Sequence, residues 1–240
     1  GFIHVPYNDI PALEKVMDEN PEIAAVMLEP VLGEGGIVVP DAGYLKQVRE
    51  ITQQHKALMV LDEIQTGMCR TGQWFAFQHE QILPDVMTLA KSLGNGIPIG
   101  ACLANDMAAT PMTAGSHGST FGGNPLAASV ALSVIDVLTS ENLVARARQL
   151  GEKMLLEFKA RLQPVDEVKR IHGAGLMFGI ELDRSCSQIV MMGLERNILV
   201  NVTADKVVRL LPPLIITDED ADNIVTIVCE LVKDFLQGKE

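Results

Sequence analysis

Leu58-Met59-Val60-Leu61-Asp62-Glu63-Ile64-Gln65 and Asp85-Val86-Met87-Thr88-Leu89-Ala90-Lys91 decide the fold. Each is a short apolar run that ends in a charged side chain. Such runs are the pattern of neighbouring buried strands in a parallel sheet. In open α/β sheets ligands sit beyond the carboxyl ends of the strands. Asp62 and Lys91 are therefore expected to face one crevice, one bringing a carboxylate and the other an amine. That pair suits pyridoxal 5'-phosphate. The cofactor is held covalently by a lysine amine, and a carboxylate on its pyridine nitrogen keeps the ring cationic and able to accept electrons. Gln65, in the turn after Asp62, is placed to donate to the ring's phenolic oxygen; a solvated loop glutamine is the competing reading. Leu58 to Glu63 also resembles the magnesium-carrying strand of a nucleotide-binding fold. That fold needs a G-x-x-x-x-G-K-[ST] loop, and the sequence has none.

Outward from this stretch, strands alternate with helices. Ile3 to Val5 reads as a short strand. Asn8-Asp9 can cap a helix through Glu19, with Pro11 in its first turn. Ile23 to Leu28 is an apolar run ending in Glu29-Pro30. Gly33-Glu34-Gly35-Gly36 makes a tight loop that aims Glu34 outward. Asp41 can cap a helix through His55. Ile99 to Ala104 is a further strand, and the alternation implies βαβ units and a largely parallel sheet. Asn124 can cap a helix with Pro125 in its first position, running to about Leu138. Small residues leading into a helix start also suit an anion.

From Ser140 a second helix runs to about Leu162, with Leu143, Ala147, Leu150, Met154 and Phe158 inward. Beyond Pro164 the pattern changes to short strands around a helix, Gln188 to Arg196. Thr217 with Asp220 forms an approximate capping box for a last helix, Asp218 to Leu236. These patterns give two domains, residues 1–140 and 141–240, the second an α+β unit.

Composition narrows the function classes. Of the 240 residues 48% are hydrophobic, enough for a substantial core. The net charge of −12, with no basic block, argues against nucleic acid and anionic membrane as partners. Cys69, Cys102, Cys186 and Cys229 are scattered without metal spacing. They read as buried free thiols of a reducing, cytoplasmic setting. His4, His55, His79, His117 and His172 also lack metal spacing. No G-x-S-x-G elbow supports a serine hydrolase.

Four motifs in register carry a resemblance. Glu29-Pro30 with Gly33-Glu34-Gly35-Gly36, Leu61-Asp62-Glu63-Ile64-Gln65-Thr66-Gly67, Ala90-Lys91-Ser92-Leu93-Gly94 and His117-Gly118-Ser119-Thr120-Phe121-Gly122-Gly123-Asn124-Pro125-Leu126 follow the order and spacing of the class III, ornithine-type aminotransferases. Within that family, Asn201 to Leu214 is most similar to the bacterial members that act on acetylornithine. The resemblance implies fold type I, with a mostly parallel sheet in a large domain and an α+β C-terminal domain.

It further implies that Lys91 is catalytic and that Asp62, Gln65, Lys91 and Thr120 hold pyridoxal 5'-phosphate. Thr120 would reach the phosphate bound by a second copy of the chain in a homodimer. Arg209 would grip a substrate carboxylate through two parallel hydrogen bonds, and Glu34 would gate it. A surface lysine is the competing reading of Lys91, and burial beyond an apolar strand is expected to argue against it; a turn threonine and a surface ion pair are those of Thr120 and Arg209. The implied reaction passes the terminal amine of N-acetylornithine to 2-oxoglutarate. Other ω-amine donors are the alternatives: succinylornithine, succinyldiaminopimelate, ornithine or 4-aminobutyrate. A non-catalytic fragment is a third, because the family carries an N-terminal half ahead of the position of Gly1. That half supplies a phosphate loop, a residue stacked on the ring and further strands.

Overall fold

The computed structural model describes residues 1–238. In chain order the elements are α1 (Ile10–Glu19), β1 (Ala25–Leu28), α2 (Tyr44–Gln54), β2 (Leu58–Asp62), β3 (Val86–Leu89), β4 (Ala101–Ala104), α3 (Asp106–Ala109), α4 (Pro125–Ser140) and α5 (Leu143–Leu162). They continue with β5 (Val168–Gly173), β6 (Phe178–Leu182), α6 (Ile189–Glu195), β7 (Asn201–Thr203), β8 (Val207–Leu210) and α7 (Asp218–Leu236). No single described helix is long and apolar enough to cross a membrane.

The chain forms two compact units. The first comprises 1–30, 40–68 and 75–140; the second comprises 31–39, 69–74 and 141–240. Two short segments numbered below 140 therefore belong to the second unit.

In the first unit the sheet runs β1-β2-β3-β4. β1, β2 and β3 are parallel and β4 is antiparallel to β3. The runs that end at Asp62 and Lys91 are thus parallel neighbours. Their burial differs from the expected run covered on both faces. Met59, Leu61, Met87 and Leu89 are buried, whereas Met27 on β1 is 59% exposed. Among the described residues one face of β2 and β3 is buried and the other is only half-buried.

Local capping explains part of the helix pattern. Asp9 accepts from the Ala12 amide at the start of α1, and Pro11 sits in its first turn. Asn124 accepts from the Ala127 amide at the start of α4, with Pro125 first in the helix. The expected Asp41 cap of α2 is not made. Gly43 is the N-cap in a left-handed conformation, and the Glu80 carboxylate takes the Gly43 amide at 3.2 Å and the Lys46 amide at 2.8 Å. An anion at a helix start is favourable wherever in the chain it comes from. Asp41 instead exchanges two hydrogen bonds with Asn8. Ile3 to Val5 is not a strand. No described strand takes its hydrogen bonds, and Phe2 and Ile3 are exposed.

Asp85 ties the first unit together. It is buried and accepts from the Met59 amide at 2.7 Å, the Arg49 guanidinium at 2.7 Å and the Asn105 amide group at 2.8 Å. Burial alone would raise its pKa. The Met59 amide and Arg49 outweigh burial and hold it below the usual carboxylate range. A carboxyl depressed in the folded state stabilises the fold above its unfolded pKa, and loses that contribution as pH falls through the folded value. Asp85→Ala leaves Arg49 uncompensated, so it is expected to cost about 3–5 kcal/mol in urea denaturation at neutral pH. The gap from the parent protein should narrow toward acid. A loss below about 1 kcal/mol would place Asp85 among ordinary surface pairs.

The second unit carries an all-antiparallel sheet, β5-β6-β8-β7. Its core joins Leu150, Met154 and Phe158 of α5 with Phe178 and Ile180 of β6 and Val228 of α7. The five α5 residues expected to face inward are all buried. Phe158 meets Phe178 edge to face at 5.6 Å. The helix expected from Ser140 begins at Leu143, because Asn142 adopts a left-handed conformation and interrupts the chain there. Gly151 lies inside α5, where glycine ordinarily weakens a helix. A methyl group there would stand 2.1 Å from the Gly175 carbonyl oxygen, so close approach requires glycine. Thr217 caps α7 by accepting from the Asp220 amide.

Cys69, Cys186 and Cys229 are buried, but Cys102, on the edge strand β4, is exposed, contrary to the expected burial. Burial pushes the three enclosed thiols up to about 11, where they are inert. Among the described residues no group of His, Cys, Asp and Glu is placed to hold a metal.

Candidate active site

In the first unit, Asp62 ends β2 and pairs in register with Thr88 of β3. Register partners project to the same face, here the half-buried one. Asp62 Oδ1 accepts from the Ile64 amide at 3.0 Å and from the Thr88 hydroxyl at 3.3 Å. Both bonds fall on one oxygen, leaving Oδ2 available to a further donor. Its neighbour Glu63 is buried and takes the Thr66 hydroxyl and, at 3.0 Å, the Phe77 amide. Burial raises the Glu63 pKa. Of the two adjacent carboxylates, Asp62 is the one within reach of solvent, and Glu63 braces the loop that follows.

Lys91 opens a short 3-10 turn, Lys91–Leu93, beyond β3. Its backbone φ of 45° is left-handed, which a non-glycine residue adopts only when its surroundings hold it there. The Lys91 carbonyl accepts from the Gly94 and Asn95 amides, both at 3.1 Å, and these bonds fix the turn. The side chain is exposed, which corrects the expectation that a strand end would bury it. Gln65 is half-buried in the turn after Asp62. Thr120 lies in the exposed loop before α4. The hydrogen bonds there are made by Ser119, Phe121, Gly122 and Asn124.

The second unit brings Arg209 and Glu34 together across 175 positions of sequence. Arg209 Nη1 lies 2.6 Å from Glu34 Oε1. The arginine side chain is 11% exposed and the glutamate 70%. Arg209 Nε is buried and has no hydrogen-bond partner. A guanidinium presents five donors and engages carboxylates through two parallel bonds. Here one bond is made and Nε is left over. Arg209 also lines a cavity of about 350 Å³ with Asn201 and the mainly apolar residues of 198–200 and 210–213.

Two positioning residues were not singled out by the sequence reading. Thr88 orients Asp62; its signal is a hydroxyl inside an apolar strand, directly across from the carboxylate. Arg70 is half-buried and donates to the Leu176 carbonyl at 3.0 Å and the Pro212 carbonyl at 2.5 Å. Burial pulls its pKa down to about 10. It fastens the segment 69–74 within the second unit. Gly67 and Gly72 around it mark only a loop, and those partners are 106 and 142 residues away.

A mostly parallel sheet in one unit and an antiparallel α+β unit after it are the parts of a fold type I transferase, and the chain has that fold. Residues 3–232 match the model of the class-III aminotransferases, and the chain belongs to that family. Class-III aminotransferases depend in general on pyridoxal phosphate.

The chain is 49% identical over 239 residues to the acetylornithine aminotransferase of Nitrosomonas europaea, which covers all of this chain and 61% of that protein. Among solved structures it is similar to the ornithine aminotransferase of Toxoplasma gondii, with a TM-score of 0.95, 38% identity and coverage of 100% of this chain and 58% of that one. It is also similar to the acetylornithine aminotransferase of Elizabethkingia anophelis, with a TM-score of 0.92, 38% identity and coverage of 98% and 60%. The chain thus spans about three fifths of the length of the relatives it matches.

Proposed function

We propose that the protein transfers the terminal amine of N-acetylornithine to 2-oxoglutarate, giving the semialdehyde and glutamate, as a step of arginine biosynthesis. It would do so with pyridoxal 5'-phosphate, in the cytoplasm, as a homodimer with shared sites. The observation that carries the reading is the Arg209–Glu34 pair. A mostly buried guanidinium with a spare donor is held by an exposed carboxylate that can leave. Such a site takes a dicarboxylate in one half-reaction, and closes in the other for a donor with no carboxylate there.

The residues of the first unit fit the cofactor: an exposed amine at Lys91, a carboxylate with an unused oxygen at Asp62, and an amide at Gln65. When bound, pyridoxal phosphate supplies a cationic ring that accepts the electrons left on the substrate's reacting carbon. Lys91 Nζ would anchor it covalently. Once displaced by substrate, the same amine would carry the proton from the reacting carbon as a general base. Asp62, fixed by the Ile64 amide and the Thr88 hydroxyl, would hold the charge on the pyridine nitrogen. Gln65 would donate to the phenolic oxygen, and Thr120 to the phosphate bound by the second copy.

The test is glutamate formation from 2-oxoglutarate with N-acetylornithine, succinylornithine, succinyldiaminopimelate, ornithine and 4-aminobutyrate in turn. N-acetylornithine is expected to give the highest kcat/KM. Preference for ornithine, the donor named for the Toxoplasma structure, would move the assignment within the family. Saturable cofactor binding without glutamate from any donor would overturn it.

A further inference from the structure

The segment 31–39 that carries Glu34 is not a free loop. Leu32 and Val38 exchange backbone hydrogen bonds, each at 3.1 Å, and close its base. The Gly36 and Ile37 amides both turn back onto the Gly33 carbonyl. Ile37 follows the tip at once. It is fully buried and packs with Val31 and Met177. Its φ is 53°, a conformation that a β-branched residue adopts only under constraint.

The constraint lies on β6. Phe178 and Ile180 face the core of the second unit, so Gly179 faces the other side. Gly179 pairs in register with Arg209 on β8, and register partners share a face. On that face Gly179 presents no side chain. A methyl group there would stand 2.8 Å from Ile37 Cβ and 3.1 Å from the Gly36 carbonyl oxygen. Gly36 in turn rests on Val207, where a methyl would stand 3.1 Å from Cγ2. The tip is therefore seated in a notch made by a missing side chain beside the arginine.

We propose that Ile37 and Gly179 are positioning residues that hold Glu34 on Arg209, and so set how readily a substrate carboxylate displaces it. This rests on the gate reading above, and neither residue touches substrate. Ile37 acts as the peg and Gly179 as the socket. An added methyl at Gly179 lifts the tip, and truncation at Ile37 releases it. Either change breaks the Arg209–Glu34 pair from a distance and leaves Arg209 open to a dicarboxylate.

The experiment measures two things in the parent protein and in Glu34→Gln, Gly179→Ala, Ile37→Ala and Ile37→Val. One is glutarate binding by calorimetry. The other is the nitrogen-15 signal of the Arg209 guanidinium, assigned by its loss in Arg209→Lys. Glu34→Gln should tighten glutarate about threefold, the size expected for losing a partly exposed ion pair. Gly179→Ala and Ile37→Ala should each shift the guanidinium signal as Glu34→Gln does and tighten glutarate similarly. Ile37→Val should resemble the parent. The double change Glu34→Gln with Gly179→Ala should add nothing beyond Glu34→Gln, a non-additivity that general loosening would not give.

If Glu34→Gln leaves glutarate binding unchanged, the gate itself fails. If Glu34→Gln acts but Gly179→Ala and Ile37→Ala keep the parent's guanidinium signal, the positioning proposal fails and the gate stands. Should Gly179→Ala not fold, Ile37→Ala decides alone.

Discussion

Lys91→Ala is expected to abolish turnover. If Lys91 carries the proton as proposed, losing it would alone account for about 10²–10⁴-fold. Losing the covalent anchor adds to that, so the residual rate should fall below detection in a coupled glutamate assay. The same variant should show no visible cofactor band, and borohydride should fix no cofactor to the chain. If borohydride still fixed cofactor to the variant, another lysine would hold the role. The backbone offers an internal control. Lys91 occupies a left-handed turn anchored by its own carbonyl, and Lys91→Gly keeps that turn without strain while removing the amine. Both variants should be inactive, and Lys91→Gly should be the more stable in denaturation.

Arg209→Ala is expected to lower kcat/KM for 2-oxoglutarate by about 10²-fold or more, since hydrogen bonds to charged groups contribute roughly 1.5–3 kcal/mol each. The donor half-reaction should change far less if, as proposed, Glu34 occupies Arg209 there. Arg209→Lys keeps the charge but cannot form the fork, and should recover only a small part of the loss. Steady-state kinetics with each substrate varied separately will distinguish these. Equal losses in both half-reactions would mean that Arg209 supports the fold rather than the acceptor.

Much of the layout was legible because it is local. The runs ending at Asp62 and Lys91 became parallel neighbours. The α5 pattern Leu143, Ala147, Leu150, Met154 and Phe158 buried as spaced. Asp9, Asn124 and Thr217 capped the helices their side chains could reach. The misreadings concern relations that a window cannot hold. Asp41 lost the α2 cap to Glu80, which lies 37 positions beyond the Gly43 amide it takes. Ile3 to Val5 has strand composition, but no described strand pairs with it. Lys91 reads as buried from the run before it, yet it lies in an exposed turn beyond the strand. At the candidate site, motif spacing named the chemical groups but not what orients them. Thr88, Arg70, Ile37 and Gly179 act through partners on other strands and loops, and Gly179 acts by having no side chain at all.

The way the two units divide the sequence has a consequence for anyone building chimeras. The chain passes from one unit to the other after Pro30, Val39, Met68, Trp74 and Ser140. A cut at residue 140 looks natural, since a helix ends there. A graft of 141–240 alone would strip Met177 of the Ile37 and Val31 that cover it, and Leu176 and Pro212 of the Arg70 that binds their carbonyls. The transplantable module is discontinuous: three pieces of chain that must be exchanged together. Recombination between relatives within 31–39 or 69–74 should therefore be tolerated worse than crossovers in the exposed loop before α4. A swap confined to the C-terminal hundred residues would carry Arg209 without the Glu34 it pairs with.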